Sequence, residues 1–200
     1  MPRSKEVFEA MRETTRQKIE DAALSLIARR GISVTIDEIA KFAGVSKGLL
    51  YNHYPSKEAL IGKLLNQAVT ISGKTLRQFA ESEGLAACKI KQITTLMCDM
   101  FSDNNKGIDN FMFMAQIGMS GFLFDRPVYN TANAPNPLES LEKIIAAGQH
   151  EGSFVQGCPT ALAFTYWAAI QGLCCYKVMG MAIVPDAVML LRILLREDYL

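Results

Sequence analysis

The residues between Thr35 and Lys57 are rich in groups that can contact a nucleic acid. The segment VTIDEIAKFAGVSKGLLYNHYPSKEAL places hydroxyl, amide, imidazole and ammonium groups within one short stretch. An asparagine amide can pair with the edge of an adenine, and a leucine can pack against a thymine methyl group. Lysine, tyrosine, histidine and threonine side chains suit phosphate oxygens. These residue types therefore predict recognition of a polyanion.

Turn and cap signals in this stretch predict two short helices that would position those groups. Thr35 and Glu38 have the spacing of a capping box, so a helix should begin there and run to about Ala43. Gly44 suits the left-handed position that ends a helix, and Ser46 can cap a second helix. Two short helices joined in this way form a helix-turn-helix.

Helical periodicity assigns the two faces of the second helix. If Leu50 points inward, a rotation of about 100° per residue turns Gly48 and Asn52 outward. Gly48 would let the backbone approach a groove, while Leu49 and Asn52 could contact base edges. Lys47 lies in the first turn, where recognition helices present side chains to bases. The residues of phosphate-contacting type are Thr35, Tyr51, His53 and Lys57.

Charge and composition narrow the function classes. Residues 1–57 hold ten Lys and Arg against seven Asp and Glu, a net of +3, whereas the rest of the chain holds eleven against thirteen. The start MPRSKEVFEAMRE lacks the apolar core of a signal peptide, and no run of eighteen apolar residues occurs, so we expect a cytoplasmic protein. The five cysteines have no CxxC spacing, and we expect them to be reduced packing residues. We identify no metal-ligand cluster, cofactor motif or catalytic triad, and we do not expect an enzyme.

The rest of the chain has helical spacing almost throughout, which predicts an all-α fold. One extended loop, DRPVYNTANAPNP, interrupts it. We expect a three-helix helix-turn-helix DNA-binding domain at residues 1–60 and a helical effector-binding and dimerisation domain at residues 61–200. Besides the two short helices, the predicted helices span residues 16–30, 57–83, 86–102, 108–124, 138–149, 160–179 and 185–196.

The run from Gly44 to Lys57 carries a recognisable motif, GVSKGLLYNHYPSK. It resembles the hallmark Gly-Val-Ser-x-Gly-x-Leu-Tyr-x-His-Phe-x-x-Lys of the TetR family of bacterial transcriptional regulators, with Tyr54 in place of the commoner Phe in a core role. The resemblance covers about the first 65 residues. It implies phosphate-contacting positions at Thr35, Ser46, Tyr51, His53 and Lys57, and base-reading positions at Lys47, Gly48, Leu49 and Asn52.

The same resemblance implies a homodimer that binds a near-palindromic operator, usually represses transcription and is released by a small molecule. A mainly apolar effector is our expectation, since Met and Phe crowd the middle of the chain, although such residues also fill ordinary cores. The polar tips of tryptophan and glutamine would complete such a pocket. The expected effector-binding residues are Met97, Phe101, Phe111, Met114, Phe122, Trp167 and Gln171.

The predicted helix at residues 160–179 is apolar nearly all round, so it must be covered on every side. We therefore predict a two-fold interface between this helix, the helix at residues 138–149 and their copies in a second chain. The interface residues that we expect are Leu138, Leu141, Ile145, Leu162, Ile170 and Leu173.

The prediction is thus a DNA-binding transcriptional repressor whose partners are operator DNA, a second copy and a small effector. Three alternatives remain open. A transcriptional activator would have the same fold, and a helical ligand-binding protein would have lost DNA binding. An enzyme would show turnover without operator binding.

Overall fold

The computed structural model describes residues 5–101, 107–120, 136–182 and 184–200. Over these ranges the fold is all-α, as predicted, and its one extended pairing is an isolated antiparallel bridge between Phe154 and Leu195. A 3-10 turn follows at Glu197–Tyr199. The α-helices are α1 (Lys5–Arg30), α2 (Ile36–Ala43), α3 (Lys47–His53), α4 (Lys57–Glu81), α5 (Ala86–Asp99), α6 (Gly107–Met119), α7 (Pro137–His150), α8 (Pro159–Val178) and α9 (Ala187–Leu191).

The chain packs into two compact units. The first comprises the described residues within Met1–Asn66 and Phe113–Tyr129, and the second comprises those within Gln67–Met112 and Asn130–Leu200. The predicted functional boundary after residue 60 stays a prediction. In the first unit, Gln116 approaches the turn at Gly31, where a β-carbon would lie 3.4 Å from the Gln116 amide oxygen.

The core of the first unit uses the helix faces that apolar spacing predicts. Helix α1 nevertheless begins at Lys5, eleven residues before the predicted start at Arg16. Its residues up to Thr14 are exposed, so no buried side chain marks that part of the helix in the sequence. The fully buried side chains of this unit include Ile19 and Ile27 of α1, Ile39 of α2, Leu50 of α3, and Leu60 and Ile61 of α4.

The second unit packs around Phe154, whose ring is fully buried beside α7. Gly148 makes room for this ring, because a β-carbon at that position would lie 2.0 Å from Phe154 Cδ2. A buried hydrogen bond of 2.8 Å between the Thr94 and Tyr166 hydroxyls joins α5 to α8.

The predicted helix at residues 185–196 is wrong in its second half, because α9 ends at Leu191. Beyond that point the backbone leaves the helix and pairs with the segment that contains Phe154. The Val155 amide donates to the Leu194 carbonyl at 2.9 Å, and the Arg196 amide donates to the Ser153 carbonyl at 3.1 Å. The amides of residues 192–195 still donate to carbonyls three or four residues earlier, whereas the Leu194 carbonyl and the Arg196 amide have distant partners that local periodicity could not reveal.

The packing role predicted for the cysteines holds for Cys174, which is buried, and burial raises its pKa to about 12. Cys88, Cys158 and Cys175 are exposed, so the expectation does not hold for them. In the part of the chain that the structure describes, no helix is long and apolar enough to cross a membrane. No three His, Cys, Asp or Glu side chains in that part are grouped as a metal site would require.

Replacing Gly148 by alanine should destabilise the second unit, because the added methyl group would overlap the buried Phe154 ring. Overpacking of this kind lowers the free energy of unfolding by ~1–3 kcal/mol. Gly118→Ala is the matched control, since that glycine is also helical and has no atom within 4 Å of an added β-carbon. Chemical denaturation of both variants checks the prediction, and equal stabilities would contradict it.

Candidate nucleic-acid interface

A capping box fixes the start of α2, as the sequence predicts. The Thr35 hydroxyl accepts a hydrogen bond from the Glu38 amide at 3.3 Å, and the Thr35 amide donates to the Glu38 carboxylate at 2.8 Å. Hydrogen bonds from the Thr35 amide and hydroxyl, with a further one from Arg30, lower the pKa of Glu38 to about 2. The box therefore stays intact at neutral pH.

The turn after α2 sets the position of α3. Gly44 has a φ of 68°, in the left-handed region, and its amide closes the helix on the Lys41 carbonyl. The Ser46 hydroxyl then accepts a hydrogen bond from the Leu49 amide at 3.1 Å and caps α3. Leu50 is the one residue within the seven-residue helix α3 that is buried. The helix is therefore attached by one face and exposed on the other.

The outward face of α3 contains the residues that the sequence predicts to read bases. Lys47, Gly48, Leu49 and Asn52 are all exposed. An added β-carbon at Gly48 would meet nothing within 4 Å, so a ligand can approach the backbone there. The structure thus brings a cation, an apolar contact and an amide together on one short helix.

The predicted phosphate contacts differ in availability. Tyr51 is 44% exposed, His53 is half-buried, and Ser46 is exposed at the cap. The Thr35 hydroxyl donates to the Glu38 carboxylate at 2.8 Å, so its hydrogen is already engaged. A capping role for Thr35 is therefore what the geometry supports, and its contact with phosphate remains a prediction.

The two predicted lysine contacts also have partners within the chain. Lys47 forms an exposed ion pair of 2.8 Å with Asp37, which raises the pKa of the ammonium group. Lys57 is half-buried and donates to the Ile32 carbonyl, and burial lowers its pKa. Sequence reasoning missed both partners. The Lys57 ammonium has three hydrogens and can bind this carbonyl and a phosphate oxygen together.

The predicted effector residues are distributed over both units. Phe111 and Trp167 are in contact within the second unit, with ring centroids 5.1 Å apart. Met114 belongs to the first unit, and Phe122 lies outside the described residues. The remaining members are in the second unit: Met97 and Phe101 are buried and Gln171 is half-buried.

Half of the predicted dimer residues are turned into their own chain. Leu141, Ile145 and Ile170 are fully buried within the second unit, so they cannot present a surface to a partner. The predicted residues that remain half-buried are Leu138, Leu162 and Leu173. Their place in an interface on α7 and α8 stays a prediction.

Comparison with protein families and known proteins agrees with this geometry. The family model for "Bacterial regulatory proteins, tetR family" matches residues 19–64. The HTH-type transcriptional regulator RutR from Escherichia coli O157:H7 is 29% identical over 157 residues, which cover 78% of this chain and 72% of that protein. These similarities link the chain to transcriptional regulators.

Solved structures show the same fold. A TetR-family transcriptional regulator from Rhodococcus sp. has a TM-score of 0.63 at 23% identity, covering 90% of this chain and 96% of its own. A transcriptional regulator from Saccharomonospora viridis, solved in complex with choline, has a TM-score of 0.64 at 23% identity. The match covers 89% of this chain and 92% of that chain. The fold and the helix-turn-helix therefore agree with the motif in the sequence.

Replacing Asn52 by alanine should relax base preference at one base pair, because the exposed amide is the group on α3 that can pair with an adenine edge. A bidentate contact of this kind contributes ~1–3 kcal/mol of discrimination. Selection from a randomised duplex library measures the preference of the wild type and the variant. Asn66→Ala is the control, an exposed asparagine on α4. An unchanged selected motif for Asn52→Ala would remove Asn52 from base recognition.

Proposed function

The chain belongs to the TetR family of transcriptional regulators, and we propose that it is a repressor that binds a near-palindromic operator as a homodimer and is released by a small, mainly apolar effector. The observation that carries the proposal is the exposed face of α3, where Gly48, Leu49 and Asn52 lie opposite the buried Leu50. Residues 1–60 would bind DNA, and residues 61–200 would bind the effector and the second copy.

Helix α8 supports the homodimer, because two of its faces are apolar and the described part of its own chain covers one of them. Ala163, Tyr166, Ile170 and Cys174 are buried within the second unit. The opposite face is exposed at the spacing of a helix, and Phe164 on it is 56% exposed. An exposed apolar stripe of this kind marks an interaction surface. Its residues are Ala161, Phe164, Ala168, Cys175 and Met179.

A second copy related by a two-fold axis would cover this stripe with the same stripe. The small residues Ala146 and Ala147 of α7 are exposed as well and would allow close approach of a neighbouring helix. A two-fold dimer presents two copies of α3 with opposite polarity, and this symmetry calls for an inverted repeat in the DNA.

The operator and the dimer can be tested together. Selection from randomised duplexes with the full chain should return an inverted repeat, with half-sites separated by about one helical turn, or ~34–36 Å. Phe164→Glu would place a carboxylate in the interface, and we expect dimer dissociation to increase at least about 100-fold, equivalent to ~2.8 kcal/mol. Light scattering measures the mass of the free protein, and a mobility shift measures its binding to the selected duplex.

Ile71→Glu is the matched control, since Ile71 is 67% exposed on α4 and lies outside the α8 stripe. This variant should remain dimeric and bind the duplex as the wild type does. A monomeric wild type at micromolar concentration, or a selected site without inverted symmetry, would reject the homodimer on a palindromic operator. Enrichment of no duplex would reject DNA binding itself.

The interior of the second unit supports the effector part of the proposal. Met97, Phe101 and Phe111 present apolar side chains there, and Trp167 lies against Phe111 with its side chain half-buried. One solved neighbour of this fold holds choline, so the fold can accommodate a small molecule. The apolar character of these residues favours a ligand bound mainly by surface burial.

Trp167 is the single tryptophan of the chain and therefore reports on this region by its fluorescence. We expect a panel of small apolar compounds to contain members that change its emission and weaken operator binding ~5–150-fold, the usual range of coupling. Phe101→Ala should reduce the affinity for such a compound while leaving operator binding without effector intact. A compound that changes the emission but never the operator affinity would contradict an effector role for this site.

A further inference from the structure

A carboxylate lies in the core of the first unit. Glu20 on α1 is only 3% exposed, and its neighbours Ile19 and Ala23 are fully buried apolar residues. Burial of an ionised carboxylate is unfavourable unless hydrogen bonds and an opposite charge replace its contacts with water. The hydrogen-bond and charge partners of Glu20 therefore decide whether the fold can hold a buried carboxylate at this position.

Two side chains supply those partners. Arg16, one turn earlier on α1, donates from Nη1 to Glu20 Oε1 at 2.6 Å. The hydroxyl of Tyr54 donates to the same oxygen. Arg16 also donates from Nε to Glu13 at 2.8 Å, which holds the guanidinium in place. Since Tyr54 follows the last residue of α3, its hydrogen bond with Glu20 ties the end of that helix to α1.

Tyr54 lies at the C-terminal end of α3. It is the C-cap residue of that helix, and its amide donates to the Leu50 carbonyl at 2.9 Å. Burial raises the pKa of its phenol, and the hydrogen bond to Glu20 raises it further, so the hydroxyl remains a donor at neutral pH. Phenylalanine, the commoner residue at this position of the motif, has no hydrogen to donate. In this chain Tyr54 is therefore more than an equivalent core residue.

Leu50 and Tyr54 are the buried side chains between Ser46 and Tyr54, a segment that the structure describes completely. Apolar burial of Leu50 is non-directional, so by itself it constrains the rotation of α3 about its axis less than a directional contact does. A hydrogen bond is directional and can fix that rotation. With side chains reaching ~5–6 Å from the helix axis, a rotation of 10° would displace the tip of Asn52 by about 1 Å.

We propose that Glu20 is a positioning residue of the DNA-binding surface, which holds the Tyr54 hydroxyl and thereby fixes the orientation of α3. This inference rests on the proposed function. It predicts that specific binding depends on the Glu20–Tyr54 hydrogen bond more than non-specific binding does. Non-specific binding comes mainly from charge against phosphates, whereas contacts with base edges require an oriented helix.

The test compares variants of the full chain on two probes, the duplex that the wild type selects from a randomised library and a scrambled duplex of equal length. Tyr54→Phe removes only the hydroxyl and should weaken binding to the selected duplex about tenfold, with less than a twofold effect on the scrambled duplex. Glu20→Gln keeps an oxygen acceptor for the hydroxyl and should bind within about threefold of the wild type.

A double-mutant cycle tests whether the two residues act through one bond. Glu20→Leu has no acceptor and should lose about as much specific binding as Tyr54→Phe. Adding Tyr54→Phe to Glu20→Leu should then have no further effect, because both substitutions remove the same hydrogen bond. Additive losses in the double variant would overturn the inference.

Tyr166→Phe is the matched control for loss of a buried tyrosine hydroxyl. Its partner is Thr94 in the second unit, so this variant should lower thermal stability without changing the ratio of specific to non-specific binding. The inference is overturned if Tyr54→Phe binds the selected duplex within twofold of the wild type. Equal losses of affinity for the two duplexes would overturn it too, because partial unfolding would weaken binding to both. A wild type that enriches no duplex would overturn the proposed function itself, which distinguishes the two failures.

Discussion

The short length of α3 is the constraint on which the rest of the first unit depends. Helices of fewer than ~12–15 residues are marginal by themselves in water, and α3 has seven residues. It is helical because its surroundings hold it: Ser46 caps the start, Leu50 enters the core, and Tyr54 closes the end. Because these attachments use one side of the helix, the other side is left open for a ligand.

The basic side chains near this surface form exposed ion pairs in which a phosphate can replace the carboxylate. Lys47 pairs with Asp37, and Arg30 pairs with Glu38, with all four side chains substantially exposed. Exposed ion pairs typically contribute at most ~1 kcal/mol to stability and are screened by salt. A basic side chain in such a pair can therefore exchange its carboxylate partner for a phosphate with little change in the stability of the fold. The pair of Arg16 and Glu20 is different, because the Glu20 side chain is buried while Arg16 is half-buried.

In the second unit, the constraint is how the apolar faces of α8 are covered. Helix α8 is apolar on opposite faces, and the residues that the structure describes bury only part of that surface. The described chain buries the face with Tyr166 and Ile170 against its own helices and leaves the face with Phe164 exposed. Gly148 lets the Phe154 ring approach α7 closely. The division of α8 into two faces is what makes a second copy a reasonable covering partner.

The amino-acid sequence by itself determined the helix-turn-helix, because its signals are local. The capping box of α2, the serine cap of α3, the glycine in a left-handed turn and the phase of Leu50 against Asn52 involve residues within one or two helical turns of each other. The motif from Gly44 to Lys57 also indicated the TetR family, whose model matches residues 19–64. The bounds of α2, α3, α7 and α8 agree with the prediction within two residues, since caps or breaks in periodicity mark their ends.

Only the tertiary structure decided which groups meet across long stretches of chain. It paired Glu20 with Tyr54, directed the Lys57 ammonium to the Ile32 carbonyl, and ended α9 early by pairing its continuation with the segment around Phe154. It also buried Leu141 and Ile145, which the sequence analysis assigned to an interface. Apolar character indicates that a side chain will be covered, but it does not reveal whether its own chain or a partner covers it. These contacts depend on how helices that are far apart in sequence pack together, and the spacing of residues within one helix does not reveal that packing.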